Sequence, residues 1–222
     1  ASALISIFYV AWTIKKPIFS LIFLYSIYVL WKYSKQLKVK FLRGNIIVSW
    51  LVALSIINLA LFDVLPIIEN ENSSKIIFKI IICYSIFSFL MTLSREIIKD
   101  VEDLEGDKIL NANTIILKYG LNKTKIIINF LNTLVVFLIA FWQYFQYSIH
   151  QSSFENNQKI EIWGTDTASI IYTFIVQLFL ILLIFKTHAA KSRSDFSFLS
   201  RLSKTIMIIG IISIVIFTKN FI

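Results

Sequence analysis

Long runs of apolar residues without a charged side chain alternate along this sequence with short charged segments. A bilayer core of about 30 Å requires roughly 20 helical residues. Gly44–Phe62 and Thr167–Phe185 meet that length within a residue or two. The shorter runs can be extended by lysine side chains that reach from a helix end to the membrane surface. The pattern predicts seven membrane helices, the first of them incomplete: Ala1–Ile14, Pro17–Trp31, Gly44–Phe62, Ile80–Ser94, Ile126–Phe154, Thr167–Phe185 and Thr205–Thr218.

The composition agrees with this pattern. Hydrophobic residues make up 57% of the 222 residues and charged residues 16%, and the mean hydropathy is +0.76, whereas soluble domains contain about 45–50% apolar and about 25% charged residues. This excess excludes an ordinary soluble globule and a disordered chain, and the single cysteine excludes a disulfide scaffold. Because the backbone must be hydrogen-bonded internally in lipid, we predict an all-α, polytopic transmembrane helix bundle that forms a single domain over residues 1–222.

The net charge of +9 is distributed unevenly. Three alternate predicted loops, Lys32–Arg43, Arg95–Lys125 and Lys186–Lys204, hold 16 of the 22 Lys and Arg residues. Lys and Arg are enriched in cytoplasmic loops of membrane proteins, so these three loops are predicted to face the cytoplasm. We therefore expect an integral protein of the cell's inner (cytoplasmic) membrane, with the lipid bilayer as a partner and no nucleic acid.

One predicted cytoplasmic loop has unusual chemistry. The segment Arg95–Lys108 carries 9 charges in 14 residues and 6 of the 13 acidic residues of the chain. Asp100, Asp103 and Asp107 are spaced i, i+3, i+7, which places them on one face if the preceding helix continues. Three carboxylates in that alignment repel one another unless a cation lies among them. Oxygen ligands of this kind favour Mg²⁺, which binds a few carboxylates together with substrate phosphates.

Two interpretations of this loop remain open on spacing alone. Arg95 and Lys99 supply the positive charge that a diphosphate needs. The same residues form, with Asp103, an i, i+4, i+8 series typical of a solvated, salt-bridged helix end. Position favours the metal and phosphate interpretation, because acidic residues are costly at the end of a membrane helix and do not contribute to topology.

The segment Arg95–Asp107 resembles a known motif. It reads Arg-Glu-x-x-Lys-Asp-x-x-Asp-x-x-x-Asp, similar to the second aspartate-rich motif of the UbiA superfamily of intramembrane prenyltransferases. It looks most like the branch of digeranylgeranylglyceryl phosphate synthases (geranylgeranylglycerol-phosphate geranylgeranyltransferases). The stretch Tyr33–Asn45 is similar to the Tyr/Lys-rich cytoplasmic loop that lies two helices earlier in that family. The seven predicted helices would then correspond to helices three to nine of a nine-helix fold.

The resemblance implies a Mg²⁺-dependent transferase. It would transfer a prenyl group, geranylgeranyl in this branch, from its diphosphate to a lipid-like glycerol phosphate acceptor in the membrane. The implied ligands of Mg²⁺ are Asp100, Asp103 and Asp107. The residues implied to bind substrate are Arg95, Lys99, Lys35 and Lys38 for the phosphate oxygens, with Tyr33 and Asn45 beside them.

One family feature has no match in this sequence. The first aspartate-rich motif, Asn-Asp-x-x-Asp-x-x-x-Asp, is absent, and its place would be upstream of Ala1. We therefore expect a domain truncated at its N-terminus and inactive by itself. Two alternatives to the lead hypothesis are prenylation of an aromatic acceptor of the quinone, chlorophyll or tocopherol type, and a non-catalytic membrane protein or transporter.

Overall fold

The computed structural model describes residues 9, 12–13, 20–37, 41–64, 72–109, 112–155 and 164–218. No β-strand occurs among these residues, which confirms the all-α prediction. The described α-helices are α1 (Ser20–Lys32), α2 (Arg43–Leu59), α3 (Asn72–Glu102), α4 (Leu104–Ile109), α5 (Ile115–Glu155), α6 (Thr167–Ala189) and α7 (Arg193–Thr218). Short π-helical turns, Tyr33–Leu37 and Ala60–Val64, follow α1 and α2.

Five of the predicted membrane runs lie in helices long and apolar enough to cross a bilayer, α2, α3, α5, α6 and α7. The run Pro17–Trp31 contains the 13-residue helix α1, and Ala1–Ile14 lies almost entirely outside the described residues. The short helix α4 was not predicted. The membrane helices extend beyond the charge-free runs, because a helix satisfies its own backbone and can carry charged side chains past the apolar core.

The chain divides into two compact units. The first comprises Ala1–Leu93 and Glu105–Lys118. Within it, the ring of Phe23 on α1 contacts the edge of Phe62, with ring centroids 5.6 Å apart. The small buried residues Ser49 and Ala53 line one face of α2, and small residues of this kind allow membrane helices to approach closely.

The second unit comprises Ser94–Leu104 and Tyr119–Ile222. Its core lies between α6 and α7, where large side chains are fully buried: Leu180, Leu183, Phe196, Leu199 and Ile206. The Tyr172 hydroxyl donates to the Ile209 carbonyl at 2.7 Å, joining α6 to α7. Gln177 Nε2 donates to Gln143 Oε1 at 3.0 Å and joins α6 to α5. Interhelical hydrogen bonds of this kind hold membrane helices together where lipid offers no hydrophobic driving force.

The short connection between α6 and α7 is also fixed by specific bonds. Lys125 Nζ donates to the His188 carbonyl at 2.9 Å, near the C-terminus of α6. A cation at this end of a helix complements its dipole. The Asp195 carboxylate accepts the backbone N–H groups of Lys191 and Ser192 at 2.8 and 2.9 Å. Together these bonds order the three-residue connection.

The outer face of α5 is apolar and exposed. Its side chains recur at helical spacing and include Ile126, Phe130, Phe137, Phe141 and Tyr144. Large apolar surfaces of this kind are rare on monomeric soluble proteins. Surrounding lipid would solvate this stripe, so it supports the assignment of α5 as a membrane helix.

Two glycines adopt positive φ, one inside α5 and one just before α6. Gly120 (φ 74°) interrupts α5 and separates its first turn from the long remainder. Gly164 (φ 83°) precedes Asp166, whose carboxylate accepts the Ser169 N–H at 3.1 Å and caps the start of α6. Residues other than glycine rarely adopt this backbone conformation.

Gly164→Ala is expected to destabilise the second unit by about 1–2 kcal/mol. The new Cβ would lie 3.1 Å from Gln146 Nε2 and 3.6 Å from Phe217 Cδ2, in addition to the strained backbone. Thermal unfolding in detergent should show a lower midpoint. Gly106→Ala is the control, because a Cβ there meets no atom within 4 Å. Equal midpoints for the two variants and the wild type would contradict the close approach at Gly164.

Candidate functional site

The last turns of α3 carry most of the predicted site. Arg95, Lys99 and Asp100 are half-buried there, and Asp103 is exposed in the turn that follows. The Asp103 N–H still donates to the Lys99 carbonyl at 2.8 Å, so the helical hydrogen-bond register continues to this residue. Asp100 and Asp103 therefore lie three residues apart in helical register, an arrangement that brings side chains onto one face.

The helix does not continue unbroken to Asp107. It ends at Glu102, and Asp107 lies in the separate helix α4, within the first unit. The Asp107 carbonyl accepts the Ala112 N–H at 2.9 Å, where α4 ends. The three aspartates were predicted to share one face only if the helix continued. The helical register reaches Asp100 and Asp103 but stops before Asp107, so Asp107 does not lie on that face of α3.

Arg95 has an unusual environment. One terminal nitrogen, Nη1, lies 3.2 Å from Glu96 Oε1, and the two side chains are 27% and 21% exposed. Its Nε is buried and has no hydrogen-bond partner. An unpaired donor on a guanidinium costs free energy in this setting. The side chain therefore keeps an unused N–H that an anionic oxygen could accept.

The remaining predicted residues lie in the first unit. Tyr33 is half-buried in the π-helical turn after α1, and Lys35 is exposed in the same turn. Lys35 Nζ lies 4.3 Å from the centroid of the Trp31 ring, within range of a cation–π interaction. Asn45 is half-buried in the first turn of α2, and its carbonyl accepts the Ser49 hydroxyl at 2.7 Å. Lys38 lies outside the described residues.

The ligand set suits Mg²⁺ by its chemistry. Every acidic candidate offers only oxygen, the ligand atom that Mg²⁺ prefers. In the part of the chain that the structure describes, no three His, Cys, Asp or Glu side chains form a group able to hold a metal ion. Mg²⁺ does not require such a group, since it usually binds one or two carboxylates plus substrate phosphates. The pair Asp100 and Asp103 fits that mode and does not fit an all-protein cage.

Sequence reasoning missed a polar cluster deeper in the second unit. Ser94 and Asn132 are both fully buried, and the Ser94 hydroxyl donates to Asn132 Oδ1 at 3.0 Å across α3 and α5. Asn129 lies one turn earlier on α5. A signal was present in the sequence, because two asparagines three residues apart interrupt the otherwise apolar run Ile126–Phe154. Polar side chains inside a membrane helix are costly unless another group pairs with them.

Known proteins similar to this chain share one name. A digeranylgeranylglyceryl phosphate synthase of Methanosphaera stadtmanae is 28% identical over 85% of this chain and 57% of its own length. The synthases so named of Methanothermobacter thermautotrophicus and Sulfolobus acidocaldarius are each 36% identical, over 40% and 51% of this chain and 27% and 38% of their own lengths. The chain is similar in sequence to proteins named digeranylgeranylglyceryl phosphate synthase.

This similarity confirms the resemblance to the UbiA superfamily and to this branch of it. The chain spans little more than half the length of the Methanosphaera stadtmanae synthase and a smaller share of the other two. No family model matches the chain, and no solved structure matches it.

Proposed function

We propose that the protein transfers a geranylgeranyl group from its diphosphate to a glycerol phosphate lipid within the membrane. The observation that carries this proposal is the polar end of α3, where Arg95, Lys99, Asp100 and Asp103 follow a membrane-spanning apolar helix. The homologous synthases support the same reaction by their name. A membrane helix with a charged end suits a substrate that has an apolar tail and a diphosphate head.

Each charged residue has a role that its chemistry allows. Arg95 offers a buried, unpartnered Nε–H to a phosphate oxygen, and Lys99 adds a second positive charge. Lys35 and Lys38 are also proposed to bind phosphate oxygens, and Tyr33 and Asn45 are proposed as further substrate-binding residues. Asp100 and Asp103 would hold Mg²⁺, and Asp107 is proposed as a third ligand. When bound, Mg²⁺ supplies positive charge that stabilises the leaving diphosphate.

The reaction exchanges one carbon–oxygen bond for another. The bond between the first prenyl carbon and the diphosphate oxygen breaks, and the diphosphate leaves with the electron pair. An ether bond then forms to the hydroxyl oxygen of the acceptor, and the departing diphosphate takes up the hydroxyl proton. The contribution of the protein would be electrostatic, since charge develops on the diphosphate and the proposed positive side chains would stabilise it.

We also propose where the site lies. Residues 1–222 would form one prenyltransferase domain of the inner membrane, with the Asp-rich end of α3 on the cytoplasmic side. This orientation is supported by the excess of Lys and Arg in Lys32–Arg43, Arg95–Lys125 and Lys186–Lys204. A soluble prenyl diphosphate would reach the site from that side, and the acceptor lipid from the bilayer.

A transfer assay tests the proposed function. Membranes that contain the full-length protein are incubated with Mg²⁺, labelled geranylgeranyl diphosphate and either geranylgeranylglyceryl phosphate or a hydroxybenzoate-type aromatic acceptor. We expect label in an ether lipid and none above the empty-membrane control with the aromatic compound. Transfer only to the aromatic ring would show that the acceptor is aromatic and not a glycerol phosphate lipid. The absence of transfer to either compound would contradict the proposed function.

A further inference from the structure

Two unpaired polar atoms belong to residues three apart on α5, within the apolar part of the second unit. Asn132 is fully buried, and its amide Nδ2 has no hydrogen-bond partner although its Oδ1 accepts the Ser94 hydroxyl. The side-chain oxygen Oδ1 of Asn129 is also buried without a partner. Leaving a buried donor or acceptor unpaired costs about 1–3 kcal/mol. Two such atoms on one membrane helix therefore lower the stability of the folded protein.

The two atoms have complementary chemistry. Nδ2 of Asn132 can only donate a hydrogen bond, and Oδ1 of Asn129 can only accept one. Residues three apart lie on the same face of a helix, so a single group between them would have to accept from one and donate to the other. An alcohol hydroxyl does both. A phosphate offers acceptors only, which would leave Asn129 unpaired, and a prenyl tail offers neither.

The cluster also lies at a suitable depth. Ser94, which orients the Asn132 amide, precedes Asp100 by six residues on α3, a rise of about 9 Å along the helix axis. That separation leaves room for a diphosphate between the carboxylates and the level of Ser94. A hydroxyl bound by Asn132 would then lie near the level of the carbon that leaves the diphosphate, and away from the charged helix end.

We infer that Asn132 and Asn129 bind the free hydroxyl of the acceptor lipid and orient its oxygen toward the prenyl carbon. The Ser94 hydroxyl is a positioning group, because it holds Oδ1 of Asn132 and thereby turns the Nδ2 donor toward the acceptor. This inference rests on the proposed function. It adds residues that bind the acceptor hydroxyl, a role that the charged residues of the Asp-rich segment do not have.

Equilibrium binding without turnover tests the inference. The purified full-length protein in nanodiscs is titrated with geranylgeranylglyceryl phosphate and with its analogue in which hydrogen replaces the free hydroxyl, both without prenyl diphosphate. The wild type should prefer the hydroxyl compound by at least about tenfold, since two hydrogen bonds are lost with the analogue. In Asn132→Leu, which keeps the bond to Asn129, this preference should fall to about threefold, while the affinity for the analogue stays unchanged.

Stability provides a second readout. Leucine has nearly the shape of asparagine and removes the unpaired donor, but it also leaves the buried Ser94 hydroxyl without its acceptor. The two effects oppose each other, so the thermal midpoint of Asn132→Leu should lie close to that of the wild type. A purely structural role for Asn132 would lower the midpoint and change the affinities for both compounds equally. Asn129→Ala serves as an independent variant if Asn132→Leu does not fold, and the same loss of preference is expected.

The matched control is Ser203→Ala. Ser203 is fully buried in the same unit, and its hydroxyl donates to the Leu199 carbonyl of its own helix at 2.9 Å. This variant should keep the hydroxyl preference. The inference is overturned if the wild type shows no preference, or if Asn132→Leu and Asn129→Ala keep it. A protein that shows the preference but transfers no prenyl group in the separate assay would instead overturn the proposed function.

Discussion

Asp103→Ala is expected to lower the rate of prenyl transfer by the full-length protein about 10³-fold, and Asp100→Ala to do the same. Both residues lie in helical register at the end of α3 and are the carboxylates best placed to share one Mg²⁺. If the two carboxylates bind Mg²⁺ as proposed, the loss of either would leave too few protein ligands to hold the ion beside the diphosphate. The measurement is kcat/KM for labelled geranylgeranyl diphosphate in membranes at saturating acceptor.

A nearby acid provides the control for this prediction. Glu105 is exposed in α4, and the proposed site does not include it. Glu105→Gln should keep at least about half of the wild-type rate, since an exposed surface charge contributes little. If Asp103→Ala and Asp100→Ala both kept more than a tenth of the activity, the metal assignment would be wrong and the salt-bridged helix end would be the better interpretation of the segment.

Arg95→Ala is expected to lower kcat/KM for the prenyl diphosphate about 100-fold. The buried, unpartnered Nε makes Arg95 the cation most suited to a phosphate oxygen. Arg95→Lys keeps the charge but loses the planar fork of donors, so we expect an intermediate loss of about tenfold. Steady-state kinetics with the prenyl diphosphate varied at fixed Mg²⁺ measures both effects.

The control for Arg95 is an arginine of the same predicted side. Arg193 is exposed at the start of α7 and lies outside the proposed site. Arg193→Ala should leave kcat/KM within about twofold of the wild type, because an exposed charge acts weakly through solvent. Equal losses for Arg95→Ala and Arg193→Ala would mean that net surface charge, and not a specific phosphate contact, determines the effect.

The apolar pattern predicted the membrane helices but not their ends. Thr167–Phe185 begins at the residue where α6 begins, because Asp166 both ends the polar segment and caps the helix. Ile80–Ser94 is much shorter than α3, which runs from Asn72 to Glu102. A charge-free run measures the thickness of the bilayer core, whereas a helix ends where its backbone hydrogen bonds end.

The charged segment could be singled out from the sequence. For the buried polar cluster the sequence showed the two asparagines but not the partner of Asn132. Charge density and spacing were enough to single out Arg95, Lys99, Asp100 and Asp103. The break at Asp103, which places Asp107 in another helix, depends on local backbone geometry that spacing does not encode. The contact between Ser94 and Asn132 joins residues 38 apart in sequence. Such a contact depends on how α3 and α5 pack against each other, and the hydropathy of a sequence does not determine which helices pack together.

Asp100 and Asp103 are proposed to hold a divalent cation that binds a diphosphate. Electron paramagnetic resonance of Mn²⁺, used in place of Mg²⁺, tests it on the purified full-length protein with and without inorganic pyrophosphate. We predict that pyrophosphate tightens Mn²⁺ binding at least about tenfold in the wild type and has no such effect in the Asp100→Asn, Asp103→Asn double variant. The same pyrophosphate-dependent binding in both proteins would contradict the claim.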